Sequence, residues 1–207
     1  MANVFFVTQG QTYWFERRDG YIWAPNPLSP ELREFWRKNP NVGSKSDRTF
    51  WSNVELVRTG DIIIHYAGKR NGGISAISRA TTDYYRAPIT EELFAIANMG
   101  IPGVGLWPPD GGRRVDCEYV ELRNKMPIKN FKRDILELRL PKYRDYHVAN
   151  SAFNRLGNVN QGYLYELERP LAYIFIKEAI NLNLDLKDYA FITKIFSDLK
   201  SELSVKN

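Results

Sequence analysis

The chain opens on an unbroken apolar run, Val4-Phe5-Phe6-Val7, and the pattern returns at Ile62-Ile63-Ile64-His65-Tyr66. Runs rich in β-branched and aromatic residues, closed by turn formers, predict strands buried on both faces. The spacing predicts a strand over residues 4–8, ended by Gln9-Gly10-Gln11, and a second over 62–66. Gly68 to Gly73 reads as a hairpin turn, with Ile74-Ser-Ala-Ile77-Ser-Arg-Ala as the returning strand. Residues 115–123 alternate, Val115, Cys117 and Tyr119 against Asp116 and Glu118, and predict another strand, as does Tyr163-Leu-Tyr165-Glu-Leu167.

Helical signals are fewer and cluster late. Ser29 is a candidate N-cap for a helix over 31–38, and Thr90 with the following acidic residues opens one over 90–98. Residues 131–140 fit a helix or a strand. From Pro170 onward apolar residues recur at helical spacing, first over Leu171–Ile180 and again over Tyr189–Leu203. The chain therefore divides into a β-rich body, residues 1–168, and a helical C-terminal segment, 169–207, that packs on the body or leads to a further domain. Between body elements, the stretch 99–114 holds five glycines and three prolines and is expected to be an irregular surface loop.

Composition narrows the class. At 207 residues, 43% hydrophobic and 26% charged, the chain is an ordinary globular one with enough length for a sizeable core. A single cysteine, Cys117, excludes an internal disulfide and any multi-cysteine zinc set, so a cytoplasmic, reducing setting is expected. No run of about eighteen apolar residues occurs, so no membrane association is expected. The net charge of +5 suits a phosphate-bearing partner, and the 14% aromatic content suits one with planar bases.

The tryptophans sharpen this. Trp23 ends Gly20-Tyr21-Ile22-Trp23-Ala24-Pro25, and Trp107 sits in Gly105-Leu106-Trp107-Pro108-Pro109. A tryptophan between glycines and prolines has no periodic face to pack on, which makes it a candidate stacking surface for a flat ligand. Trp51, ahead of Val54 and Val57, reads as core. Trp36 reads as packing its helix, and Trp14 is undecided.

These residues carry a resemblance. Phe5-Phe6-Val7 followed by Gly20-Tyr21-Ile22-Trp23-Ala24 resembles the opening of YTH domains. Trp51-Ser-Asn-Val-Glu-Leu-Val-Arg-Thr-Gly60-Asp61-Ile-Ile-Ile-His-Tyr is similar to an element of EVE domains, and Ser151-Ala-Phe153-Asn154 to Leu167 resembles the YTH end. Both families belong to the PUA-like superfamily. The resemblance implies an α+β fold, a PUA-like (YTH/EVE-type) small twisted β-barrel flanked by helices, with a helical C-terminal tail. It also implies a module like the N-terminal one of archaeal McrB-type restriction GTPases, which flips out and recognises N6-methyladenine in double-stranded DNA. A GTPase motor in the same longer chain and a nuclease subunit would be its partners.

The candidate site follows. Trp23 and Trp107 are the expected cage walls, and a third falls to Tyr13, Tyr84 or Tyr85, of which Tyr85 is taken. Gln9 and Gln11 carry amides that both donate to and accept from an adenine edge. The resemblance adds the carbonyl of Ala24 as acceptor for the N6 hydrogen. Among the basic clusters, Lys69-Arg70 at the hairpin tip and Arg113-Arg114 beside the Trp107 loop are the expected phosphate contacts, with Arg155 in the later loop. No cofactor or metal is expected. His65, inside an apolar run, reads as a buried structural histidine.

Two other readings stand beside this one. A nuclease would need an acidic pair and a lysine on neighbouring strand positions; Asp110, Asp116 and Glu118 come nearest, but no lysine follows Glu118 at the required step. No nucleotide-binding Gly-Lys loop and no serine or zinc hydrolase motif occurs, so a non-catalytic binding domain is expected. Within the binding class, RNA or a 5-modified cytosine is the alternative ligand.

Overall fold

The computed structural model describes residues 2–10, 13–25, 52–68, 72–88, 112–148, 151–160 and 162–205. The helices expected over 31–38 and 90–98 lie outside the described residues, as do Trp36, Trp51 and Trp107. The architecture is α+β: a mixed sheet curls into a half-barrel, with helices packed against it.

Strand β1 (Val4–Gln9) pairs in parallel with β3 (Ile62–Ala67), Phe5 opposite Ile63 and Val7 opposite His65. On its other side β1 pairs antiparallel with the short β7 (Leu164–Glu166). Strand β3 forms the expected hairpin with β4 (Gly73–Ala80), and β4 pairs with the long β6 (Gly112–Pro127). The N-terminal part of β6 also pairs with β2 (Tyr21–Pro25) and with the three-residue β5 (Tyr85–Ala87). The strand order β2-β6-β4-β3-β1-β7 leaves β2 and β7 as the two edges.

Two apolar layers explain the continuous runs. Val4, Phe6, Ile62 and Ile64 face one cluster, which includes Phe153, Phe175 and Ile192. Their neighbours Phe5, Val7 and Ile63 face the inside of the curl, with Ile22, Val54, Val57, Val115 and Leu164. Strands buried on both faces have no polar alternation to show. The first cluster is roofed by helix α3 (Arg169–Leu182) and helix α4 (Ala190–Val205), so the C-terminal segment shares its core with β1. Pro170 stands in the first turn of α3, where its missing N–H costs nothing. Asn183 closes α3, and its side-chain oxygen accepts from the Asn124 N–H on β6 at 2.8 Å.

Several elements go beyond the sequence pattern: β2 and β5 are strands it does not predict, and β6 begins at Gly112, inside the stretch 99–114 expected to be an irregular loop. Residues 13–19, a polar aromatic stretch in which the sequence pattern predicts no element, form helix α1 (Tyr13–Asp19). Gly20 stops it at φ 70°, a left-handed conformation that favours glycine at a helix C-terminus. The ambiguous stretch 131–140 contains helix α2 (Lys132–Glu137), entered through a 3-10 turn over Ile128–Phe131.

Candidate nucleic-acid interface

Several predicted site residues meet where β2, β6 and β5 run side by side. The register pairs Trp23 with Arg114, and Arg114 with Tyr85. Directly opposed residues of an antiparallel ladder share a face, so these three side chains form one cross-strand row. Tyr21 and Asp116, also paired, lie on the same face two positions along. Trp23 and Tyr21 pack together with Phe15 of α1 against them.

The row is held by specific contacts. The Arg114 guanidinium lies 4.2 Å from the centre of the Tyr21 ring and donates to Asp116 Oδ1 at 2.7 Å. The Tyr85 hydroxyl donates to the other Asp116 oxygen at 2.9 Å. Asp116 therefore fixes both an arginine and an exposed tyrosine. Tyr85 is 38% exposed and Trp23 5%, so the tyrosine is presented to solvent while the indole is largely covered. Gly112 lets the indole lie against the strand: a Cβ there would overlap atoms of the Trp23 ring. Burial, with Glu16 and Asp19 nearby, pushes the Tyr21 hydroxyl up to about 12.

The backbone of β2 alternates. Gly20 accepts from the Cys117 N–H at 2.7 Å, so Gly20, Ile22 and Ala24 turn their peptide groups to β6. Tyr21 and Trp23 turn theirs the other way, where the Tyr21 carbonyl accepts from the Tyr119 hydroxyl and the Trp23 N–H donates to the Tyr163 hydroxyl, each at 2.9 Å. The resemblance gives the base contact to the carbonyl of Ala24. Strand alternation turns that carbonyl into the β6 ladder and brings the Trp23 carbonyl to the edge.

Gln9 is buried, 2% exposed, and both ends of its amide are engaged. Its Nε2 donates to Glu16 Oε2 at 2.6 Å, and its Oε1 lies 3.0 Å from His65 Nδ1. An amide oxygen accepts, so Nδ1 carries the proton, and His65 Nε2 accepts from the Ser78 hydroxyl at 2.7 Å. His65 is fully buried with both ring nitrogens occupied, and burial pushes its pKa down to about 3. A base edge reaching Gln9 would have to displace Glu16 or His65. Gln11, Lys69 and Arg70 lie outside the described residues.

The remaining predicted phosphate contacts separate. Arg113 is 6% exposed, on the face opposite Arg114, and its guanidinium pairs with Glu55. Arg155 is exposed in the turn before Gly157, next to α2, on a different part of the surface. Tyr13 is buried, its hydroxyl accepting from Ser75 at 2.9 Å. Tyr84 is as exposed as Tyr85.

Helix α1 adds a surface that the sequence reading left undecided. Trp14 is 66% exposed, with the Arg17 guanidinium 5.1 Å from its ring centre. With Phe15, Arg18 and Glu121 they line a groove of about 560 Å³ beside the Trp23 cluster. The spacing Trp14, Arg17, Arg18 is one helical face, a signal hidden while residues 13–19 carry no helix prediction. Acidic partners balance these arginines: Arg17 pairs with Glu121 and Arg18 with Asp19. Among the described residues no three metal-ligating side chains gather, and no helix is long and apolar enough to cross a membrane.

No protein-family model and no curated protein matches this sequence. Solved structures similar to the chain include a hypothetical protein from Leishmania major, 8% identical, with a TM-score of 0.47 over 87% of this chain and 96% of that one. A protein from Pseudomonas putida is 11% identical, with a TM-score of 0.45 over 85% and 99% of the two chains. The DUF55 domain of human thymocyte nuclear protein 1 is 10% identical, with a TM-score of 0.37 over 84% and 98%.

Proposed function

We propose that this chain is a PUA-like, YTH/EVE-type reader that holds a flipped N6-methyladenine of double-stranded DNA against Trp23, Tyr85 and Trp107. Its output is targeting: cleavage and GTP hydrolysis belong to other domains or to partners of a McrB-like restriction complex. The observation that carries the reading is the cross-strand row Trp23–Arg114–Tyr85 at an edge of the curled sheet. The exposed Tyr85 ring, held by Asp116 beside Arg114, is a surface on which a base can stack, at about 1–3 kcal/mol per base, with the largely covered Trp23 indole as the wall behind it. Methylation weakens base pairing and eases extrusion, and the buried methyl adds about 0.8 kcal/mol. Preference for the methylated base is then about fourfold.

Fluorescence anisotropy with matched duplexes differing in one N6-methyladenine tests this, with Trp23→Ala and Trp107→Ala alongside. Tighter binding to the methylated duplex, lost in both variants, is the expected result. Equal binding to both duplexes overturns it, and a preference for RNA or for 5-methylcytosine in the same assay reassigns the ligand.

A further inference from the structure

The two edges of the curled sheet meet at a seam, and the seam is closed by side chains. Tyr163, just before β7, reaches β2 on the opposite edge, where its hydroxyl accepts from the Trp23 N–H at 2.9 Å. The same hydroxyl donates to Glu16 Oε2 at 2.7 Å, and Glu16 Oε2 also accepts from Gln9 at 2.6 Å. Glu16 has no exposed surface and Tyr163 is buried. One carboxylate oxygen on α1 thus ties the end of β1 to the middle of β2 through a tyrosine on the β7 side. Burial, with Glu16 beside it, holds the Tyr163 hydroxyl well above the ordinary tyrosine range, so it stays protonated and keeps donating.

We propose that Tyr163, anchored by Glu16, is a positioning residue for the base site: it sets where the Trp23 main chain and indole stand, and Glu16 sets the amide of Gln9. This rests on the base-reader reading above. Tyr163 touches no base; it acts through Trp23.

Tyr163→Phe keeps the ring and deletes the two hydrogen bonds made by the hydroxyl. Tyr165→Phe removes a buried hydroxyl facing the other apolar layer and is the control for general loosening. Each is titrated with the methylated and the plain duplex, and hydrogen exchange of the Trp23 amide is followed without DNA. In Tyr163→Phe the methyl preference is expected to fall from about fourfold to near unity, with the Trp23 amide exchanging at least about tenfold faster. Tyr165→Phe is expected to keep the preference. A Tyr163→Phe protein that keeps the preference, or whose Trp23 amide exchanges as in the wild type, overturns the assignment and leaves the reader intact. A wild type with no preference overturns the reader reading and this assignment with it.

Discussion

The main-chain N–H of Trp23 donates to the hydroxyl of Tyr163, joining two residues from opposite edges of one sheet. A closed barrel would satisfy that N–H with a neighbouring strand. Here a side chain does it, so the wall is continuous but its closure depends on individual hydroxyl and carboxylate groups. Changes confined to single atoms therefore have readable effects.

Gly112→Ala tests how tightly the indole of Trp23 lies on β6. The new methyl has to enter the ring's volume, so the indole or the strand must move. Overpacking of this kind costs about 1–3 kcal/mol, and the expected Tm is lower by roughly 3–10 °C. Thermal unfolding by circular dichroism reads it. An unchanged Tm would mean that the indole does not rest there.

His65 gives a pH signature. Burial holds its folded pKa at about 3, against an ordinary histidine value of 6.5, so the unfolded chain binds a proton that the folded chain refuses. The neutral imidazole's contribution is complete above pH 6.5 and is lost as pH falls toward 3. The slope reaches about 1.4 kcal/mol per pH unit for one proton. Urea unfolding between about pH 7 and pH 5 should show this slope in the wild type and a shallower one in His65→Gln. Parallel curves would show that the imidazole is not kept neutral by the fold.

Cys117 should be silent in the native protein. It is buried, and burial pushes its thiol up to about 12, so thiolate is scarce as well as covered. A chromogenic disulfide reagent at neutral pH is expected to react fully in denaturant and at least about a hundredfold more slowly without it. Fast native labelling would refute the burial of this strand position.

Arg113 and Arg155 separate stability from phosphate contact. Arg113→Gln removes a buried guanidinium paired with Glu55, and the expected effect is a lower Tm with no change in the salt dependence of DNA binding. Arg155→Gln, at an exposed turn, should leave Tm alone and reduce the slope of log K against log salt by about 0.9 if Arg155 meets a phosphate. Titrations at several salt concentrations distinguish the two, and a slope change in Arg113→Gln would contradict the buried placement.

Much of the sheet was legible. Val4–Val7 and Ile62–Tyr66 announced themselves because strands buried on both faces are apolar throughout, and His65 read as structural because a histidine inside such a run has to be satisfied by neighbours. Helix α1 was not legible: seven residues make two turns, too few for a 3.6-residue period to stand out. The role of Gln9 was hidden for a different reason. Its partner His65 is brought in by the parallel β1–β3 pairing, and side-chain partners across strands leave no mark in local sequence. The same holds for Arg113 and Arg114, neighbours in sequence whose alternation sends one to Glu55 and the other to the Tyr21–Tyr85 row.

The pairing of β1 has a consequence for how the chain reaches this state. Its two ladder partners are β3, past residue 60, and β7, past residue 160. Contacts so distant in sequence pay loop-closure entropy before they return any stability, which makes folding slow. During synthesis the apolar run Val4–Val7 would wait with a raw edge until Leu164–Glu166 had left the ribosome. Strand β1 gains its second ladder partner only when β7 arrives.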